Sequence, residues 1–283
     1  MKSLFLMCCI WSQFIATVAF SAEPEPIRVI TFNIRYGTAP DGANEWPKRK
    51  PLVWEFLDCE KPHVLGLQEA LYDQVSAILE RYPQYVSVGV GRGTDGGGEF
   101  SALLYDRNRF DLLAAETFWL SDTPTVRGSR TWGANFTRTC VWARLHERSS
   151  NRTFIVMNTH WDHESQPSRV KSGELMAKRI REFDPAEPLI AMGDFNTGPK
   201  DPSRESFTQT GLRDSFVDVH PNDAQVGTFH GFTGKPSSDK IDAILVSKEW
   251  VVTAAEIIRT ERDGVYLSDH YPVTATLELK DAD

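Results

Sequence analysis

Eight β-branched or aromatic runs are spread along this chain, and most of them stop on a carboxylate, an amide or a histidine. They cover 27–33, 63–68, 100–105, 139–146, 153–159, 188–192, 241–246 and 273–279, bounded by Gly, Pro, Asn or Asp. Helical spacing falls between some of them. Over 46–57 the apolar residues are Leu52, Val53, Phe56 and Leu57, and 71–79 and 170–183 show similar patterns. Strands interleaved with helices, without a composition break, predict one mixed α/β domain. The stretch 91–98, GRGTDGGG, predicts a loop, because so much glycine loses too much entropy in a helix or strand.

The first residues read differently. Lys2 precedes an apolar stretch over 4–20, and Ala19-Phe20-Ser21 offers small residues at the positions a signal peptidase reads. We read 1–21 as a signal peptide and 22–283 as a single domain, secreted or periplasmic, without membrane association after cleavage. An anchor helix is the alternative, since this stretch sits at the lower edge of what spans a bilayer; the small-residue exit followed by Glu-Pro-Glu-Pro favours cleavage. Cys8 and Cys9 lack the preceding small residue that a lipid anchor needs. Cys59 and Cys140 remain, expected as buried free thiols, with no zinc spacing.

The chain carries 31 basic and 39 acidic residues, a formal charge of -8. Such a surface draws no polyanion from a distance, which disfavours indiscriminate nucleic-acid binding, while a locally basic or metal-filled cleft stays allowed.

The strand ends carry the chemistry: Asn33, Glu69, the group Asn158, His160 and Asp162, the pair Asp194 and Asn196, then Asp242, Asp269 and His270. Each alone reads as a turn former. Together they place oxygen donors and two histidines at one sheet rim, where α/β folds put their sites. Oxygen ligands without cysteine favour Mg²⁺ or Mn²⁺. Histidines beside carboxylates supply charge stabilisation or proton transfer at phosphorus. Metal-assisted phosphoester hydrolysis is the reading.

In the order Asn33, LQE, NTHWDH, GDFN, IDAI and SDH, the chain resembles the endonuclease/exonuclease/phosphatase superfamily in its deoxyribonuclease I-like form, as a secreted bacterial-type member, from about 27 to 279. The resemblance implies a four-layer α/β/β/α sandwich, two mostly antiparallel sheets flanked by helices, and dependence on Mg²⁺ or Mn²⁺. It makes Glu69 the principal metal ligand, helped by Asn33 and Asp269. Asp194 then orients or deprotonates the attacking water, and Asn196 holds phosphate and water. His160 neutralises phosphoryl charge, His270 is a second such histidine buttressed by a carboxylate, and Asp242 is a second metal or phosphate-side ligand. Glu99 is either the glutamate that orients the first histidine or a solvated loop acid. His230 falls in a substrate-side segment, and Asp162 is expected beside the catalytic group or substrate.

Arg138 and Arg169 are candidate phosphate contacts, with ion pairing or solvation as the alternative. Trp132 and Trp161 suit a base or sugar platform, or the core. His63 is expected to be structural, and His146 and His220 to lie at the surface. The substrate is a phosphodiester or small phosphorylated compound. The alternatives are an extracellular nuclease acting on DNA or RNA, and a non-catalytic binding domain; a monomer is expected.

Overall fold

Two six-stranded sheets pack against each other in the computed structural model, which describes residues 25–223, 226–236 and 239–280. The segment 1–21, read as a signal, lies outside these described residues. In chain order the strands are Ile27–Asn33 (β1), Val64–Gln68 (β2), Tyr85–Val88 (β3), Leu103–Asp106 (β4), Phe110–Trp119 (β5), Thr139–Glu147 (β6) and Arg152–His160 (β7). There follow Leu189–Asp194 (β8), Arg213–Asp214 (β9), Asp242–Val246 (β10), Trp250–Ile257 (β11), a small hairpin of Glu261–Arg262 (β12) and Val265–Tyr266 (β13), and Val273–Leu279 (β14). The helices are Trp46–Glu60 (α1), Tyr72–Arg81 (α2), Gln166–Arg181 (α3), Glu205–Thr208 (α4) and Ser215–Val219 (α5).

The sheet orders are β11-β14-β1-β2-β4-β3 and β5-β6-β7-β8-β10-β9. Within them only β1 with β2 and β7 with β8 run parallel, so both sheets are mostly antiparallel. Strand alternation builds the layers. Val29 of β1 and Phe154 and Val156 of β7 meet in the core between the sheets. Their neighbours Ile30 and Phe32 face α1 and α2, whereas Ile155 and Met157 pack with Met176 of α3 and Phe207 of α4. Apolar residues on both faces make the interior strands read as unbroken runs. The expected layered α/β fold is what forms.

Two departures have local causes. Helix α3 begins at Gln166, earlier than the apolar spacing predicts, because the Ser165 side chain caps it by accepting from Ser168 N at 3.3 Å. Cys59 is exposed and only Cys140 is buried, a correction to the expected pair of buried thiols. Along α1 the residues turned inward are Arg49, Leu52, Val53, Phe56 and Leu57, which leaves Cys59 off the packed stripe.

Asn158 ties the sheets together. Its Oδ1 accepts from Gln68 Nε2 at 2.7 Å, and its amide donates to the Leu67 and Ala102 carbonyls at 2.9 and 2.8 Å. Thus the site-forming ends of β2 and β7 are held in fixed relation.

Candidate active site

Strand register assembles the site. His160 ends β7 opposite Asp194 at the end of parallel β8, and Asp194 in turn faces Asp242 at the start of antiparallel β10. In the other sheet Asn33 ends β1 opposite Gln68, with Glu69 one residue beyond. Asp269 and His270 precede β14, which is antiparallel to β1. The ends of two parallel pairs and the beginnings of their antiparallel neighbours therefore share one rim. Gly193 allows this closeness: a Cβ there would lie 2.1 Å from the Thr159 carbonyl oxygen, and its φ of +147° favours glycine.

Three non-glycine residues at this rim, Arg35, Glu69 and Asn196, have φ of 58°, 60° and 50°. This left-handed backbone costs energy for residues with a Cβ and persists only where neighbours hold it. Asn196 is held by Asp194 Oδ1, which accepts its N–H at 2.9 Å, and by its own amide donating to the Trp161 carbonyl at 2.9 Å.

Asn33 Nδ2 donates to Asp194 Oδ2 at 3.0 Å and to Glu69 Oε1 at 3.2 Å, joining carboxylates from the two sheets. Its Oδ1 accepts from Arg35 N at 3.1 Å. Asn33 thus presents its donor end to these carboxylates. Asp194 Oδ2 also lies 3.5 Å from His160 Nε2 and 3.9 Å from His270 Nε2, and His270 Nδ1 stands 2.9 Å from Asp242 Oδ2.

The two histidines are driven in opposite directions. Burial and the adjacent Arg138 guanidinium push His160 well below the ordinary imidazole range. Burial also opposes a charge on His270, but Asp242 and Asp194 hold it well above that range. Burial, then Asp242, lifts Asp194 to about 7. Asp269 is raised as well, chiefly by burial.

Other expected residues divide. Glu99 does not orient His160: it pairs with Arg92 at 2.8 Å and lies 3.9 Å from Arg138, while Arg138 Nη1 stands 3.0 Å from His160 Nδ1. The orienting glutamate is corrected to an arginine. Asp162 serves the backbone, accepting from Glu164, Ser165 and Phe136 N–H groups at 2.9, 2.7 and 3.3 Å. Arg169 donates to the Asp162 carbonyl at 2.9 Å.

His230 is buried, with its ring stacked on Tyr271 at 4.0 Å and Nδ1 accepting from Gly234 N at 3.3 Å. It packs behind the Asp269–His270 segment. Trp161 is core, against Phe195 and Phe207, and Trp132 binds Asp122. His63 is structural, as expected, accepting from Arg28 N at 3.0 Å. His146 and His220 are half-buried, engaged by Asn151 and by the Ala255 carbonyl.

Sequence reasoning missed Arg35, Arg49 and Arg92. Arg49 is fully buried and donates to the Asn44, Ile34, Leu267 and Arg35 carbonyls at 2.7–2.8 Å, strapping the Asn33 and Asp269 loops to α1. Its signal is visible: a charged residue at position 49 sits in the apolar stripe of 52, 53 and 56.

These side chains suit a hard cation. Asp242 Oδ1 is buried and has no hydrogen-bond partner, and Asp194, Asp242 and His270 bring one ligand atom each within 4.8 Å of one another. A hard cation prefers oxygen donors, and Glu69 and Asp269 beside Asn33, with the unpartnered Asp242 oxygen close by, offer them.

Oxygen donors, a shared carboxylate and two imidazoles, one neutral and one cationic, on a two-sheet α/β scaffold define a hydrolytic phosphoesterase class of site. The sequence profile of the Endonuclease/Exonuclease/phosphatase family matches residues 30–270, and the chain belongs to that family of divalent-metal-dependent nucleases and phosphatases. The endonuclease/exonuclease/phosphatase from Bacteroides vulgatus is 32% identical, with a TM-score of 0.83 over 91% of this chain and 100% of that one. A mannosyl-6-phosphatase of Bacteroides thetaiotaomicron is 29% identical, with a TM-score of 0.81 over 89% and 100%. Nocturnin of Drosophila melanogaster is 24% identical over 240 residues, 73% of this chain but only 36% of that protein's length.

Proposed function

We propose that the protein is a secreted, divalent-metal-dependent hydrolase of small phosphorylated compounds, with one catalytic domain over 22–283. The convergence on Asp194 carries this reading. One of its oxygens is fixed by Asn196 N at 2.9 Å, and the other gathers the Asn33 amide at 3.0 Å and both histidines within 3.9 Å. A buried carboxylate lifted to about 7 is suited to take a proton from water attacking phosphorus. Neutral His160 offers a hydrogen bond through Nε2–H, and cationic His270, held by Asp242, meets negative charge on the phosphoryl or leaving oxygen. Asn196 has one amide hydrogen committed to Trp161 and a second for a phosphate oxygen. Glu69, Asp269 and Asn33 would hold Mg²⁺ or Mn²⁺, Asn33 after turning its amide oxygen inward. When bound, the cation supplies Lewis-acid stabilisation of phosphoryl charge.

A small substrate is favoured by the likeness to a mannosyl-6-phosphatase, at 29% identity over the whole of that chain. Secretion rests on the signal-like segment 1–21. The nuclease reading keeps one support, the likeness to nocturnin and to a probable RNA exonuclease of Saccharomyces cerevisiae, of which this chain spans 43%.

The test is hydrolysis of a hexose 6-phosphate, a generic phosphodiester and a single-stranded oligonucleotide, with Mg²⁺ and then with chelator. Chelator-sensitive release of phosphate from the sugar ester is the expected result. Cleavage of the oligonucleotide alone replaces this reading with the nuclease. Metal and sugar-phosphate binding without turnover of any substrate identifies a binding domain.

A further inference from the structure

Arg35 has no part in the chemistry above, yet its guanidinium stands between two carboxylates of the metal set. Nη1 is 3.9 Å from Glu69 Oε2, and Nε is 3.7 Å from Asp269 Oδ2. It is fixed there from several sides. Asp41 accepts from Nε and Nη2 at 3.1 and 3.0 Å, and the guanidinium carbon lies 4.7 Å from the centre of the Tyr36 ring. The backbone, at a φ of 58°, is pinned by Asn33 Oδ1 accepting from Arg35 N, and by Gln74 and Arg49 donating to the Arg35 carbonyl at 3.0 and 2.8 Å. A strained residue held by this many partners keeps its charge in one place.

A positive charge so placed has two opposed effects. It neutralises Glu69 and Asp269 when no metal is bound, and it repels an arriving divalent cation. We propose that Arg35 is the resident counter-cation of this site, which stabilises the metal-free protein and holds affinity for the divalent ion down. The inference rests on the metal reading above.

The test is calorimetric titration of the metal-free protein with Mn²⁺, using wild type, Arg35→Gln, Arg35→Lys and Glu69→Gln. Arg35→Gln is expected to bind Mn²⁺ on the order of tenfold tighter and to show a larger metal-induced rise in Tm. Arg35→Lys, which keeps the charge but loses the paired bonds to Asp41, should shift by clearly less than Arg35→Gln. Were Arg35 only a scaffold, its loss would loosen the ligands and weaken binding, the opposite sign. Unchanged or weaker binding by Arg35→Gln, or an equal shift in Arg35→Lys, overturns the proposal. Should Arg35→Gln not fold without metal, Mn²⁺ release from the loaded variant to excess chelator is followed instead; slower release than wild type supports the proposal, and equal or faster release overturns it. Binding by wild type that Glu69→Gln weakens establishes the site independently. Wild type that binds no Mn²⁺ overturns the metal reading and this inference with it.

Discussion

Arg138 Nη1 stands 3.0 Å from Nδ1 of His160, and because a guanidinium can only donate, that nitrogen must accept. The proton of the neutral ring is therefore on Nε2, the atom 3.5 Å from Asp194. At His270 the corresponding partner of Nδ1 is the Asp242 carboxylate at 2.9 Å, which favours the protonated ring. Partners of opposite charge thus turn one residue type into a neutral donor and a cation within a single site.

Replacing Arg138 by Gln removes the neighbouring positive charge but leaves burial, the larger cause, in place, so His160 moves up while staying below the ordinary imidazole range. We expect kcat to fall by about 10- to 100-fold at pH 7, with the acidic limb of the rate profile displaced toward higher pH. A rate profile from pH 5 to 8 checks this. A profile of unchanged shape would contradict the tautomer argument.

Asp194 and Glu69 should fail in different ways. Asp194→Asn is expected to lower kcat by about 10²–10⁴-fold without unfolding the protein, since the amide cannot take a proton. Glu69→Gln should chiefly raise the Mg²⁺ concentration at half-maximal rate. Steady-state kinetics across a metal titration separates the two, and an unchanged metal midpoint in Glu69→Gln removes it from the ligand set.

His63 couples stability to acid. Burial, Arg109 and Arg28 lower its pKa to about 3. The unfolded chain takes up a proton near pH 6.5 while the folded protein stays neutral at this position down to about 3. Stability is thus lost as pH falls through that window, by about 2 kcal/mol between pH 6.5 and 5. Urea denaturation at pH 6.5 and pH 5 measures the loss, and His63→Gln should flatten the difference. Equal slopes in the two proteins would assign the acid sensitivity elsewhere.

Asn158→Leu should destabilise the fold by about 3 kcal/mol or more, because it leaves the Leu67 and Ala102 carbonyls and the Gln68 amide short of buried partners. Chemical denaturation reads this directly. A loss below about 1 kcal/mol would mean that water replaces the tie.

The helical faces were legible where apolar spacing reported packing, and Arg49 carried a signal in the stripe it interrupts. Hydrogen-bond partners were less legible. Glu99 and Arg138 are both near His160 in the fold, and only the packed side chains show that the arginine takes the Nδ1 contact. His230 lies in a segment rich in Gly, Thr and aromatics, yet Tyr271 takes its ring into the interior.

The sequence by itself determined the eight interior strands and the polar residues that stop them. Apolar packing on both faces writes a continuous local pattern, and an interruption at a strand end is just as local. Only the tertiary structure decided the edges: β3, β5, β9 and β11 are the four strands of the two large sheets that the pattern did not announce, and each borders its sheet. An edge strand is paired on one side only, and β5 and β11 also carry register shifts that break the two-residue period. It decided, too, that Asp194 faces both His160 and Asp242, because strand register is set by packing between distant segments and not by either segment alone.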